Sequence, residues 1–355
     1  MNIRHFRLDR QYANLKDELL DASHRALKDG VLVGGEHTRA FEKWLAERTG
    51  AKYAITVHSG TQALEIIARY KIEQWHMNGN FSSIVPTIHI PNITYPATMN
   101  AFITAGWNIE LNDTDSNGLM VPSSYTQLGH YECVVGLYGA ELNKIHYDSG
   151  SVVDGAQHWL VANGNIGSGM AISFDPTKNL PASGNGGAIV TNDKYLYAYA
   201  TLYKDNGKNA FYSVGTNSKM SEQDCAQLLV RTKYIDSWQD RREHIKNYWC
   251  DAFKELPLRC LSAGIEYHAN QKFVVYTSDR DDLHKYMIDH GIETRIHYPH
   301  ALSELPVTSS YKKPDLISTS VMLVRGVLSL PMYPELTDEE VEYITQTVIS
   351  YFNHK

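Results

Sequence analysis

The sequence predicts an α/β fold: a large domain over residues 1–235, built on a mainly parallel, mixed sheet flanked by helices, and a smaller C-terminal α+β domain over residues 236–355. Three observations carry this. Between residues 53 and 193 short apolar runs of strand length alternate with helical patterns, the order that crossover connections impose on parallel strands. Those runs end in glycine or in an acid, as Tyr53-Ala-Ile-Thr-Val57 does before His58-Ser-Gly-Thr61, and as Ser151-Val-Val-Asp154 does before Gly155. The chain of 355 residues is also longer than one ordinary small domain.

Composition narrows the class of protein. A hydrophobic fraction of 43% with 21% charged residues can fill a sizeable core and is that of a soluble globular chain. The net charge of −7 argues against a broad nucleic-acid-binding face. Four cysteines, at 133, 225, 250 and 260, form no CxxC pair and no zinc spacing, so reduced, packed thiols and a cytoplasmic location are expected. The start Met1-Asn-Ile-Arg-His-Phe6 lacks an apolar signal core, and no run reaches membrane-spanning length, so neither secretion nor a membrane association is expected.

In chain order, residues 11 to 30 read as an amphipathic helix with Leu15, Leu19, Leu20 and Leu27 on one face, stopped by Gly30. The double glycine Gly34-Gly35 precedes a second helix, about 36 to 48, with Phe41, Trp44 and Leu45 as its buried stripe. The strand 53–57 then runs into a helix from Gln62. A glycine at a helix head leaves backbone N–H groups open toward an anion, so Gly60-Thr61-Gln62 is either a phosphate cradle or a plain helix cap. A strand from Ile84 to Ile90 leads to the loop carrying Tyr95, whose ring is either a core plug or a surface on which a flat cofactor stacks. Strands follow at 107–111, 132–137 and 151–154. Asp154, at a strand end, either faces the ligand crevice of an α/β sheet or caps a helix.

Next come a short apolar strand from Ala171 and a second strand ending at Asn192-Asp193, around a loop that holds Lys178, with Pro176 before it and Gly184, Gly186 and Gly187 after it. Loops held by rigid strands are where chemistry tends to sit. A helix begins near Ser221 and a long one covers about 235 to 256, with Ile235, Trp238, Ile245, Trp249 and Phe253 at helical spacing. Lys272-Phe-Val-Val-Tyr276, a helix 281–290 and Thr294-Arg-Ile-His-Tyr298 are assigned to the small domain. Thr337-Asp-Glu-Glu340 is a capping box for a last helix that packs Val341, Ile344, Val348 and Phe352. His297 and His300 form an HxxH, but Tyr298-Pro299 between them argues for an irregular loop, so no metal is expected there.

A lysine, a strand-end aspartate, an aromatic ring and a helix-head anion site are the four parts that pyridoxal phosphate requires. Its aldehyde takes a lysine, its ring nitrogen a carboxylate, and its phosphate a helix N-terminus. On that reading Lys178 holds the cofactor, Asp154 pairs with the ring nitrogen, Tyr95 stacks, and Gly60, Thr61 and Gln62 with Ser173 cradle the phosphate.

The chain resembles the DegT/DnrJ/EryC1/StrS family of sugar aminotransferases, in eight stretches that occur in the family's order. They are Gly35-Glu-His-Thr-Arg-Ala-Phe-Glu42, Ser59-Gly-Thr-Gln-Ala-Leu64, Thr94-Tyr-Pro-Ala-Thr98, Val153-Asp-Gly-Ala-Gln157, Ser173-Phe-Asp-Pro-Thr-Lys178 with Gly186-Gly-Ala-Ile-Val-Thr-Asn-Asp193, Gly215-Thr-Asn-Ser-Lys-Met-Ser-Glu222, Gly291-Ile-Glu-Thr-Arg-Ile-His-Tyr-Pro299 and Leu328-Ser-Leu-Pro-Met-Tyr-Pro-Glu-Leu-Thr337. The resemblance implies the fold-type-I architecture and a cofactor lysine at Lys178, its ring-nitrogen partner at Asp154, a ring neighbour at Gln157 and phosphate contacts at Thr61 and Ser173. It also implies that Asn217 reaches the phosphate of the neighbouring subunit, hence a homodimer with shared active sites. Substrate contacts are expected at Gly34, Gly35, His297 and Tyr298. The implied reaction moves an amino group from L-glutamate to C3 or C4 of a nucleotide-linked keto sugar, with pyridoxamine phosphate as the aminated carrier. Two other readings stay open: a dehydratase of the same family, in which a histidine replaces the lysine, and a catalytically silent regulatory relative. Two departures stand out. Lys219 occupies a position where the family often has arginine, and the connection from 139 to 151 is short enough to suggest a compact crossover.

Overall fold

A computed structural model describes residues 1–78, 85–122, 129–142, 150–208, 214–311, 313 and 318–354. The short crossover expected between 139 and 151 falls largely outside the described residues. The large sheet is formed by β1 (Tyr53–Val57), β2 (Thr87–Pro91), β3 (Asn108–Asn112), β4 (His130–Val135), β5 (Val152–Asp154), β6 (Gly169–Ser173) and β7 (Gly187–Thr191). A second sheet comprises β8 (Arg259–Cys260), β9 (Phe273–Tyr276) and β10 (Val327–Leu330). The helices are α1 (Leu8–Lys28), α2 (Glu36–Thr49), α3 (Gly60–Met77), α4 (Pro96–Ala105) and α5 (Lys194–Tyr203), then α6 (Glu222–Thr232), α7 (Ile235–Ala252), α8 (Arg280–Asp289), α9 (Ser318–Gly326) and α10 (Asp338–Asn353).

The order in the large sheet among the described residues is β1-β7-β6-β5-β4-β2-β3. Strands β2 to β6 pair in parallel, and β7 runs antiparallel to both β6 and β1, which makes the sheet mixed but mainly parallel, as the alternation of strands and helices predicts. Both faces are covered. Because side chains alternate along a strand, Ile55, Ala171, Ile189 and Cys133 join one core with α3 and α4, while Ala54, Ile172, Val190 and Val134 join the other with Phe41 and Leu45 of α2. That two-sided burial explains why these strands read as continuous apolar runs. The parallel strands all end on one side, where Asp154 closes β5 and Ser173 closes β6.

Helix α1 corrects one expectation. Leu15, Leu19, Ala22 and Ala26 form its buried stripe, while Leu20 and Leu27 are 51% and 55% exposed. At about 100° per residue, position 20 lies about a third of a turn off the line through 15 and 19, and position 27 a little over a quarter-turn. Helix α3 begins at Gly60, two residues before the predicted start, because the Ser59 hydroxyl accepts the Gln62 N–H at 3.1 Å and caps it.

The second sheet packs with α7, α8 and α10 around Trp249, Phe273, Met287, Leu328, Ile344 and Val348. Ile3 belongs to that core, because its N–H donates to Gly291 O and its carbonyl accepts from Glu293 N, each at 2.8 Å. The segment 294–298 contributes only an isolated bridge, Arg295 to Ser329, and the third strand is β10. The capping box of α10 forms as predicted: Thr337 Oγ1 accepts the Glu340 N–H at 3.1 Å and Glu340 Oε2 accepts the Thr337 N–H at 3.0 Å.

Candidate active site

A cavity of about 420 Å³ opens at the carboxyl ends of β5 and β6, beside the head of α3. This is where an open α/β sheet offers a ligand crevice, since the strands end there and the loops splay apart. Lys178 reaches it from the loop after β6. That loop is shaped by Asp175, whose Oδ1 accepts from the Thr177 N–H at 2.9 Å and the Thr177 hydroxyl at 2.6 Å, while Asp175 O accepts the Lys178 N–H at 2.9 Å. Burial pulls the Lys178 amine below the ordinary lysine value, with the Asp154 and Asp175 carboxylates opposing.

Asp154 is 7% exposed. Its Oδ2 accepts the Thr98 hydroxyl at 2.8 Å, and its Oδ1 accepts the Ala156 N–H at 3.1 Å. Burial pushes the carboxyl up, and these two donors and the Lys178 charge pull it back toward the ionised form. A cation arriving at Asp154 would complete that compensation.

The helix head at the cavity is built by close approach. A Cβ on Gly60 would stand 2.8 Å from the Ser173 Cβ, and one on Gly187 would stand 2.3 Å from the Ser59 carbonyl carbon. Only glycines let the head of α3 sit this near the ends of β6 and β7. Ser59, Gly60, Thr61 and Ser173 line the cavity there, at the positive end of the 18-residue helix. Gln62 does not line it: its side chain turns back along α3 and donates to Glu65 Oε2 at 3.3 Å.

The opposite wall holds two rings. Tyr95, 60% exposed at the head of α4, stands at the cavity with its ring centroid 6.0 Å from that of Tyr298, tilted by 42°. Gln157 is buried and bridges: its Oε1 accepts the Tyr138 N–H at 2.6 Å and its Nε2 donates to Tyr298 Oη at 3.2 Å. His297 also lines the cavity, and its Nδ1 lies 2.8 Å from Ser329 Oγ.

The structure thus brings Lys178, Asp154, Gln157, Ser173, Gly60, Thr61, Tyr95, His297 and Tyr298 to one cavity. Gly34, Gly35, Asn217 and His300 do not line it. Gly35 instead donates its N–H to Glu222 Oε1 at 2.7 Å, part of a buried knot in which the Glu222 carboxylate also accepts the His37 and Thr38 N–H groups, each at 2.9 Å, and so caps α2. Asn217 is exposed and bridged to Asp205, which pairs with Lys219.

Two residues escaped the sequence reading. Lys272 lines the cavity, and burial, followed by the nearby Lys178 charge, holds its amine down at about 7. Tyr138, at φ 63°, is a non-glycine residue in left-handed backbone, secured by Gln157 on its N–H and by its own hydroxyl donating to His297 O. Lysine at the head of a strand and tyrosine at the end of one carry no local signal of either role.

A buried lysine whose amine burial pulls down, a buried carboxylate, the capped head of a long helix and an aromatic ring stand around one cavity. The chain belongs to the DegT/DnrJ/EryC1/StrS aminotransferase family, whose profile matches residues 13–125 and 150–349. It is 29% identical to a dTDP-3-amino-3,6-dideoxy-alpha-D-galactopyranose transaminase of Aneurinibacillus thermoaerophilus, over 97% of this chain and 98% of that one. It is 27% identical to a pleiotropic regulatory protein of Geobacillus stearothermophilus over the full length of both. The crystal structure of S. venezuelae DesV in complex with a ketimine intermediate superposes with a TM-score of 0.86 at 25% identity, covering 99% of this chain and 98% of that one. Family and site together make the chain an aminotransferase.

Proposed function

We propose that this chain uses pyridoxal phosphate to move an amino group from L-glutamate to a keto group of a nucleotide-linked deoxysugar. The observation that carries the reading is that Lys178 and Asp154 meet in one cavity with the Ser59-Gly60-Thr61 helix head. The donor set fits the cofactor: Lys178 would hold its aldehyde carbon, Asp154 its ring nitrogen, Thr61 and Ser173 its phosphate, and Tyr95 one face of its ring. When bound, pyridoxal phosphate supplies the electron sink that makes the Cα–H bond of an amino acid acidic.

The chain's own residues do the rest. Lys178 Nζ, as the neutral amine that burial favours, takes the Cα proton of the amino donor and later returns it, acting as general base and then as acid. The Thr98 hydroxyl and the Ala156 N–H favour the carboxylate of Asp154 against the burial that raises its pKa, and in that form Asp154 would hold a proton on the ring nitrogen. Gln157 and Tyr298 brace the wall opposite the α3 head. We further propose a homodimer in which Asn217 completes the neighbouring subunit's phosphate site, a cytoplasmic location, and a division of the chain near residue 235. The relatives that carry this substrate class are named as transaminases of dTDP-linked and UDP-linked amino sugars.

The test is spectroscopic. The purified protein, supplied with pyridoxal phosphate, is expected to show the visible band of a lysine-bound cofactor, and L-glutamate is expected to bleach it with release of 2-oxoglutarate. A protein that binds no cofactor after reconstitution would instead be the silent regulatory relative.

A further inference from the structure

The far edge of the large sheet, at β4-β2-β3, gathers polar side chains that the proposed reaction does not use. In the register of the parallel pairs His89 stands beside Glu110 on β3 and beside Glu132 on β4. His130, two residues before Glu132, shares their face by the two-residue period. The opposite face of the same strands packs Ile88, Ile90, Ile109, Leu111 and Cys133 into an apolar core, with Tyr131 partly buried beside them. His89 is 0% and Glu110 6% exposed, with His130 half-buried. Two imidazoles and a carboxylate therefore stand together on one largely buried sheet face.

They converge on one another. The ligand atoms of His89, Glu110 and His130 all lie within 4.8 Å of each other. His89 Nε2 faces His130 Nδ1 at 2.8 Å, while His89 Nδ1 lies 3.1 Å from Asn112 Oδ1. With that amide oxygen accepting, Nδ1 carries the proton and Nε2 presents its lone pair toward His130 and Glu110. A neutral imidazole fixed in this way by an oxygen acceptor on its other nitrogen is the form that binds metal ions.

We propose that His89 Nε2, His130 Nδ1 and the Glu110 carboxylate form a site for one divalent transition-metal ion, with zinc the chemical match to two imidazoles and one carboxylate. Bonds of about 2.0–2.1 Å at the tetrahedral angle place two nitrogen donors about 3.4 Å apart. Starting from 2.8 Å, the imidazoles open by a few tenths of an ångström, a small side-chain rotation, and the metal replaces the hydrogen bond between them. None of the three residues lines the Lys178 cavity, so the ion would tie β2, β3 and β4 together and leave the amino transfer to the other end of the sheet. Sequence spacing gives no cue to the site: the ligands come from three strands brought side by side only by crossover connections.

The test uses tag-free holoprotein, stripped of metal with a chelator and titrated with Co²⁺ and then Zn²⁺, beside His130→Gln and Glu110→Gln variants. His130 is half-buried and the second change is isosteric, so both are suited to keep the fold, which circular dichroism checks. Wild type is expected to take up one Co²⁺ per chain with a tetrahedral visible band that Zn²⁺ displaces, and Zn²⁺ is expected to raise its thermal midpoint. Changes to outer partners of metal sites cost about 10- to 100-fold in affinity, so loss of a ligand is expected to weaken Zn²⁺ binding by at least about 100-fold. If His130→Gln does not fold, Glu110→Gln and the wild-type titration decide. Failure of folded wild type to bind stoichiometrically, or equal binding by a folded variant, overturns the site.

Discussion

The cavity has two walls of different origin. One is made from strand ends and a helix head of the large sheet: Asp154, Ser173, the Lys178 loop and Ser59-Gly60-Thr61. The other is made by Lys272, His297 and Tyr298, which arrive from the chain around the second sheet. On the first wall the groups are held mostly by local bonds, as Thr177 to Asp175, Ala156 to Asp154 and Gln62 to Ser59, with Thr98 reaching Asp154 from α4. On the second they are held across long sequence separations, as when Gln157 reaches Tyr298 or Tyr138 reaches His297 O. The difference assigns chemistry to the first wall and shape to the second, and substitutions can break that assignment.

The largest effect is expected at Lys178. Lys178→Ala removes both the covalent anchor and the proton carrier, and proton transfer alone contributes about 10²- to 10⁴-fold, so turnover is expected to fall by at least about 10⁴-fold in a coupled 2-oxoglutarate assay. A variant with near-normal turnover would remove the first wall from the account. Next comes Asp154→Asn, which keeps the shape and deletes the charge; removing one preorganised electrostatic partner costs about 10²- to 10³-fold in kcat.

Thr98→Val should act through Asp154 and be visible in a pH profile. The Thr98 hydroxyl favours the carboxylate, so losing it raises a pKa that burial has already raised. The carboxylate disappears as pH falls through that value. The acid limb of cofactor binding is therefore expected to move to higher pH, by an amount set by a charged hydrogen bond of about 1.5–3 kcal/mol. An unmoved limb would mean that Asp154 does not control retention.

On the second wall the expected effects are smaller. Lys272→Met is expected to raise KM with kcat within about tenfold, the pattern of a lost binding contact and not of a lost acid–base group. The same variant tests burial. In cofactor-free protein the Lys272 amine titrates at about 7 against 10.5 when unfolded, so between these values the unfolded chain holds the extra proton. Stability consequently rises with pH across that window, and Lys272→Met should flatten the rise in denaturant titrations. Smallest is Tyr298→Phe, which removes the acceptor of the Gln157 amide and is expected to cost about 0.5–1.5 kcal/mol in unfolding free energy.

The same contrast explains what the sequence disclosed. The strands at 53–57, 152–154, 169–173 and 187–191 are legible because both their faces are buried, leaving unbroken apolar runs. Lys178, Asp154, Ser173 and Gly60 are legible because strand end, turn and helix head are each marked by local residue types. Lys272 and the strained Tyr138 are not, because their roles depend on packing between segments over a hundred residues apart. Gln62 and Gly35 show the converse: a helix-head pattern placed the first near a ligand and family resemblance the second, yet Glu65 claims one side chain and Glu222 the other's N–H. Strand β10 overlaps the Leu328–Thr337 motif, and Leu20 and Leu27 on α1 look like core residues until the helical angle is counted.

The most direct test of the central claim asks which lysine carries the cofactor. The protein reconstituted with pyridoxal phosphate is reduced with borohydride, digested, and the pyridoxyl label is mapped by mass spectrometry. One label per chain is expected, on Lys178. A label on Lys272, the other lysine at the cavity, would contradict the division between a chemical wall and a shaping wall.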